Sequence, residues 1–540
     1  MKKLFSLLAV CAVAVSAIAV PARPGGIVRT LEDGTQKTVF IHGDEHFHYI
    51  TDAEGNWLEE ETLKPLSAEV QAAREQRGIA RMQARRIAER KKVGGALNLA
   101  PRGLIILVSF SDKAFSTPLE TINEMINGDN YSRSYTSSSS MGKITINASG
   151  SARKYFQDQS WGQYNPTFDV VGPVTLEKQV SYYGKDMVYQ GQTYEGYDEH
   201  ADEMISEACK LANSQFNVDF TQYDNDNDGY VDFVYVIYAG YGQADGGNAN
   251  TIWPHNSTLI YEGQGIVCKV DGKQVNNYAC SNEINYSSKQ YNGIGTFCHE
   301  FSHVLGLPDL YITEGSASHK TMGDWDILDS GPYNNDGNTP PAYSAYERFY
   351  CGWVTPRVLK DPEEVTLHLL NDTKEALLIS KTDVHNLVGN DPDPTEFYLL
   401  ENRKKEGWDQ YIPGAGMLLT HIRYSAKTWE NNSVNNTKSS MGVDIVEADG
   451  KTPSGSSGNS GYYGKAKDAF PAGATAWTAL ENHEITNIKL QNDIITFTYR
   501  SADGIEDIEA DGINSVKIIR DGKVFIIRNG QIYDLNGTRL

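Results

Sequence analysis

The sequence predicts an α+β multidomain chain. A central domain with a mixed sheet and a functional helix is followed by an all-β, sandwich-like accessory domain and a small β tail. Three observations carry this. Residues 103–110 and 231–239 are continuous apolar runs, which read as central strands buried on both faces. Residues 197–213 place their apolar side chains at helical spacing. From about residue 356 to 500 the pattern turns to alternating strands and turns, at 364–370, 396–402, 416–422 and 494–499.

The elements follow in order. Lys2 and Lys3 precede an apolar stretch at 4–18 that is too short to cross a bilayer, and Ala17-Ile18-Ala19 has the small-x-small pattern of a signal peptidase site. Residues 1–19 therefore read as a secretory signal peptide, and no later segment reads as a membrane span. Residues 20–67 read as a small β-rich unit, with a strand at 37–49 and a turn at 52–56. Residues 68–92 are rich in Ala, Gln, Glu and Arg and include Arg74, Arg77, Arg81, Arg85, Arg86, Arg90, Lys91 and Lys92. They predict an exposed basic helix that ends at Gly94-Gly95, the form of a cleavable linker or of a solvated connector. The central domain is expected at 100–355, the all-β domain at 356–500 with a Ser/Gly loop at 454–464, and the tail at 501–540 after an acidic linker at 503–511.

The formal net charge of -22 and the pI of about 5.0 argue against nucleic acid or anionic membranes as partners. That charge suits extracellular solubility and leaves carboxylates for cations. Five cysteines remain after the signal: Cys209, Cys268, Cys280, Cys298 and Cys351. An odd number argues against a full disulfide framework. Cys268 and Cys280 flank a turn at Asp271-Gly272, so either they bridge or all five are small buried hydrophobes.

His299-Glu300-Phe301-Ser302-His303 carries the chemistry. On a helix, positions four apart share a face, so both imidazoles reach one metal. Glu300, one residue on, reaches a metal-activated water and takes its proton as the water attacks a carbonyl. Upstream, residues 292–296 give a glycine-rich approach with Thr296 as a helix cap. Downstream, Gly306 permits the turn that brings Asp309 back as third ligand, leaving the fourth position open as a catalytic zinc requires. His255, Tyr333 and Tyr343 are candidates for stabilising the developing oxyanion.

Asp224, Asp226, Asp228 and Asp232 with Gly229 form a D-x-D-x-D-G-x-x-D loop, and Tyr230 offers its backbone carbonyl. Alternating oxygen ligands about a sharp turn predict a structural Ca2+ site. Tyr235 stands where an EF-hand has Glu, and the loop enters a buried strand rather than a helix. His42, His46 and His48 cluster near the N-terminus and read as strand-surface or core residues.

The stretch 299–311 (His-Glu-Phe-Ser-His-Val-Leu-Gly-Leu-Pro-Asp-Leu-Tyr) resembles the signature of the immune inhibitor A-like secreted zinc metallopeptidases, zincins related to the metzincins. The resemblance extends over about residues 20–500, through Ile252-Trp-Pro-His255, Gly323-Asp-Trp-Asp-Ile-Leu-Asp329, Pro341-Ala-Tyr-Ser-Ala-Tyr346 and residues 397–402. It implies a propeptide at 20–95, a zincin-type metallopeptidase domain at 100–355 and accessory β domains. It also implies His299, His303 and Asp309 as zinc ligands, with Glu300 as general base. In the family's turn beneath the zinc, Leu328 stands where Met is expected, and the similar volumes preserve the apolar packing. Residues 512–540 resemble the C-terminal sorting domains of the Bacteroidetes type IX secretion route.

Together these features predict a secreted or cell-surface zymogen, exported by a Gram-negative bacterium. Its activity would be zinc-dependent hydrolysis of peptide bonds in protein or peptide substrates. The alternative is a non-catalytic secreted adhesin with a vestigial metal site.

Overall fold

The computed structural model describes residues 20–540 except 32–33, 35, 45–46, 84–97, 140–141, 190–191, 262–263, 314–318, 383, 453–462, 501–507, 511–512, 521–522, 529–530 and 535–537. The expected signal peptide, the basic linker beyond residue 83, His46, most of the Ser/Gly loop and much of the acidic linker lie outside the described residues.

The first apolar run forms the strand Arg102–Ser109, an interior strand of a five-stranded sheet. Across the sheet the order is His255–Thr258, Asn277–Asn282, Val234–Tyr238, Arg102–Ser109 and Thr167–Thr175. All pairings are parallel except at the edge strand His255–Thr258, which runs antiparallel. Alternation with period two sorts the strand Arg102–Ser109 onto two cores. Ile105 and Leu107 face one core with Phe233, Tyr235 and Phe301, while Leu104, Ile106 and Val108 face another with Met204, Ile205, Ala208 and Ala212. The latter four come from the helix Ala201–Phe216, a few residues later than its spacing suggested.

The second apolar run divides into Tyr230–Val231 and Val234–Tyr238. The strand expected at 37–49 likewise divides into Gln36–Gly43 and His48–Thr51, because Asp44 turns the chain by accepting from the Phe47 amide. With Gly26–Thr30 and Trp57–Leu58 these two make an antiparallel four-stranded sheet, followed by the helix Ala68–Gln83.

Beyond residue 356 a five-stranded sheet (Arg357–Val358, Leu377–Ile379, Glu396–Arg403, Gly416–Arg423, Val443–Ile445) and a three-stranded one (Glu363–Leu367, Ile494–Tyr499, Ile485–Gln491) share a core of Leu367, Leu377, Leu400, Leu419, Ile485 and Phe497. The described part of the tail forms a four-stranded antiparallel sheet from Ile508–Ala510 to Gln531–Tyr533.

All five cysteines are buried and unbridged. The bridge weighed for Cys268 and Cys280 is not formed: Cys268 lies opposite Val275 in a three-stranded sheet, and Cys280 is in the five-stranded sheet, opposite His255.

Candidate active site

The helix Gly295–Val304 lies against the sheet through Phe297, Cys298 and Phe301. Phe301 meets Phe168, Phe233 and Phe156 edge-on with centroids 5.0–5.1 Å away. That packing fixes the helix rotation and turns His299 and His303 to the opposite side. Its start differs from the expectation. Ile294 already has right-handed helical angles, so Thr296 lies within the first turn and caps nothing. The approach is tight: a Cβ on Gly295 would lie 1.9 Å from the Pro332 carbonyl oxygen. Glycine here lets the 331–337 turn, and Tyr333 with it, sit beside the helix.

Gly306, at φ +88°, ends the helix in the left-handed region. The chain then reverses and places Asp309 beside the two histidines. Asp309 Oδ1 is 3.1 Å from His299 Nε2 and 3.4 Å from His303 Nε2, and the two Nε2 atoms are 3.2 Å apart. A tetrahedral site with bonds of about 2.0–2.1 Å has edges of about 3.3–3.4 Å, so this N2O set fits zinc. All three residues are buried.

Their second nitrogens and oxygens are held as well. His299 Nδ1 is 2.7 Å from the Ile327 carbonyl oxygen and His303 Nδ1 is 2.8 Å from that of Leu307. Both carbonyls demand an N–H at Nδ1, which leaves the Nε2 lone pairs for the metal. Asn432 donates to Asp309 Oδ2 (2.5 Å) and accepts from the Asp309 amide (2.7 Å). Burial alone would raise the Asp309 carboxyl, but the adjoining imidazoles outweigh it and hold the group well below the carboxylate range. Leu328 is fully buried, and its carbonyl accepts from the Leu310 amide, tying its turn to the ligand loop.

Glu300 has an unexpected neighbour. The Val20 amide donates to its Oε1 at 3.2 Å. From there residues 20–23 run along the cleft. Trp253 Nε1 donates to the Val20 carbonyl (3.2 Å), the Tyr333 hydroxyl to that of Pro21 (2.6 Å), and the Arg23 amide to that of Ala244 (3.0 Å). The N-terminal sheet covers this region through a core of Val20, Ile27, Val39, Ile41, Ala244 and Trp253. His48, one of the clustered histidines, is part of this cover: it stacks on Trp253 at 4.6 Å and meets Gln243 at 2.8 Å. His42 is held by Thr51 and stacks on Tyr49.

Of the oxyanion candidates, Tyr333 puts its hydroxyl in the cleft. Burial and the nearby Asp245 push its phenol well up, so it remains an O–H donor. His255 sits in the edge strand with Nδ1 2.7 Å from the Trp253 carbonyl oxygen and Nε2 3.0 Å from the Tyr278 hydroxyl. Tyr343 lies behind the helix against Ser302, away from the cleft.

In the acidic loop, carboxylate oxygens of Asp224, Asp226 and Asp228 lie within 4.8 Å of one another. Lys273 Nζ is 2.7 Å from Asp224 Oδ2. Asp232 accepts from the Asn225 amide at 2.6 Å, and Tyr230 is half exposed at the start of its strand.

Two buried imidazoles and a carboxylate converging beside a helix-borne glutamate define a metallopeptidase-type centre. Residues 99–353 match the family described as immune inhibitor A peptidase M6, catalytic domain. Pre-pro-metalloprotease PrtV of Vibrio cholerae serotype O1 is 24% identical over 287 residues, covering 47% of this chain and 30% of that protein. Immune inhibitor A of Bacillus thuringiensis subsp. alesti is 29% identical over 217 residues, covering 36% of this chain and 30% of its own. The matched region thus spans about a third of either relative's length. Among the described residues, no helix is long and apolar enough to cross a membrane.

Proposed function

We propose that the chain is a secreted zinc endopeptidase of zincin type, made as a zymogen and acting on extracellular proteins or peptides. The observation that carries the reading is the convergence of His299, His303 and Asp309 at tetrahedral spacing with Glu300 on the same helix. Zinc, when bound, supplies a Lewis acid that lowers the pKa of water and polarises the scissile carbonyl. Glu300 accepts the proton of the attacking water and returns it to the departing amine. Tyr333 donates to a backbone carbonyl of the bound segment, as it does to Pro21, and so helps to hold a substrate along the cleft. The burial of His299 and Asp309 excludes bulk water and strengthens these interactions.

Latency is supported by the same geometry. Val20 and Pro21 occupy Glu300 and Tyr333, so residues 20–95 act as a propeptide that covers the catalytic groups. Residues 1–19 would be the signal that exports it, and the tail the address for type IX secretion. The acidic loop is proposed to bind Ca2+ through Asp224, Asp226 and Asp228, with Lys273 released from Asp224 on loading.

The test is cleavage of casein by enzyme freed of residues 20–95 and loaded with zinc. Cleavage that disappears both with a chelator and in Glu300→Ala establishes the metal and the base together. A folded, zinc-loaded enzyme that cleaves nothing shifts the reading to the adhesin.

A further inference from the structure

The segment in the cleft carries information about what the cleft accepts. Arg23 reaches from it between two carboxylates: Nη1 is 2.7 Å from Asp245 Oδ1 and Nη2 is 2.7 Å from Asp336 Oδ1. The Asp245 and Asp336 side chains are only 5% and 4% exposed. Each is oriented by groups of the catalytic segment itself. The Tyr286 amide donates to Asp245 Oδ2 (2.7 Å), and the Tyr135 hydroxyl donates to Asp336 Oδ2 (2.8 Å). Asn335 and Asp336 both hold left-handed backbone, at φ 54° and 57°, a conformation that costs free energy and recurs at ligand clamps. The pair is therefore built by the catalytic segment, with Arg23 as its occupant.

We infer that Asp245 and Asp336 form a substrate subsite for a basic side chain, arginine or lysine, on the leaving-group side of the cleaved bond. This rests on the peptidase reading above. The position follows from the segment. The Val20 nitrogen sits on Glu300, where the departing amine receives its proton, so Val20 stands for the first residue after the bond and Arg23 for the fourth. Once the N-terminal segment leaves, the two carboxylates face each other without the guanidinium that lay between them, a repulsive arrangement. A substrate guanidinium or ammonium relieves it, and charge-assisted hydrogen bonds of this kind distinguish arginine from glutamine.

The experiment uses enzyme folded as the full chain, freed of residues 20–95 and loaded with zinc. It digests a proteome-derived peptide library, and the cleaved bonds are read by mass spectrometry. Arg and Lys are expected to be enriched about tenfold over Gln at the fourth position after the bond. That enrichment should fall to within about twofold in Asp336→Asn and in Asp245→Asn, while bonds without a basic residue there are still cut. Efficient cleavage with an even distribution at that position overturns the subsite and leaves the peptidase standing. Absence of all cleavage overturns the peptidase instead. The subsite is then decided by calorimetry with the peptide Val-Pro-Ala-Arg-Pro-Gly, the sequence of residues 20–25. Replacement of its Arg by Gln should weaken binding about tenfold. Equal binding of the two peptides overturns the subsite, and this comparison leaves the protein unaltered.

Discussion

At the scale of single residues, Glu300 and Asn432 separate two contributions. In the proposed mechanism Glu300 acts on the reacting groups and stands outside the His299, His303 and Asp309 cluster. Glu300→Gln is expected to lower kcat on casein by about 10²–10⁴-fold while zinc content and melting temperature stay near those of the parent. Asn432 holds both the carboxylate and the amide of Asp309, so Asn432→Ala should weaken zinc binding by about 10–100-fold, measured by competition with a chromogenic chelator. The convergence of His299, His303 and Asp309 was legible in the sequence because helix periodicity and one glycine turn compress them into residues 299–309. Asn432 was not, because it stands 123 positions from Asp309 and approaches it only through the tertiary fold. Its left-handed φ of 48° marks it in three dimensions, and no local pattern in the sequence does. The hydrogen bonds of Val20 and Pro21 in the cleft were hidden for the same reason: the Val20 amide lies 280 positions from Glu300.

At the scale of elements, the docking of the N-terminal sheet should depend on pH. Burial alone would lower His48, but its hydrogen bond to Glu60 and the charges of Glu60 and Asp186 outweigh this, and the net shift is upward. Glu60 is pulled down to about 2: burial opposes the shift, while His48, Arg29 and Arg74 favour the ionised form. The signs then follow. A raised histidine stabilises fully below its unfolded pKa of about 6.5, and that contribution is lost as pH rises through the folded value. A depressed carboxylate contributes above about 4.3 and is lost as pH falls toward about 2. His48 also stacks on Trp253, so deprotonation loosens the sheet from the cleft. Protease sensitivity of the full chain should increase between pH 6 and pH 9, and His48→Gln should flatten that dependence. The acidic loop allows a second test at this scale. Calcium at a hundredfold excess over its dissociation constant should add about 2.7 kcal/mol to unfolding stability, and Asp226→Asn should reduce that gain. A melting temperature indifferent to Ca2+ would leave the loop as a surface turn held by Lys273 and Asn225. The carboxylate cluster of this loop was legible because its aspartates alternate along the sequence. The exact limits of the helix Ala201–Phe216 and of the two N-terminal strands were not, because turn hydrogen bonds and packing set them.

At the scale of the whole molecule, the change of pattern near residue 356 marks a change of sheet type, but the core continues across it. Phe397, Leu399, Leu418, Ile422, Val443 and Ile445 belong to the same buried cluster as Phe297, Phe301 and Leu328 around the active-site helix. Beside them the Asn435 side chain donates to the Leu310 carbonyl (2.7 Å), and Asn432 holds Asp309. Alternation revealed those strands in the sequence, because one face of each had to be apolar. It could not reveal which apolar surface they meet, since burial against a distant helix leaves the same local pattern as burial against a neighbouring sheet. The energetic consequence is large. At about 1.5–3 kcal/mol for each large apolar side chain, losing those six partners forfeits on the order of 10 kcal/mol, comparable to the whole stability of a typical domain. A chain limited to residues 99–353 should therefore show no cooperative thermal transition and bind zinc at least tenfold more weakly than residues 99–500. Calorimetry and chelator competition on the two chains decide the matter. If the shorter chain melts cooperatively and retains zinc affinity, the following sheets are an accessory; if it fails in both, they are part of the structure that holds the metal.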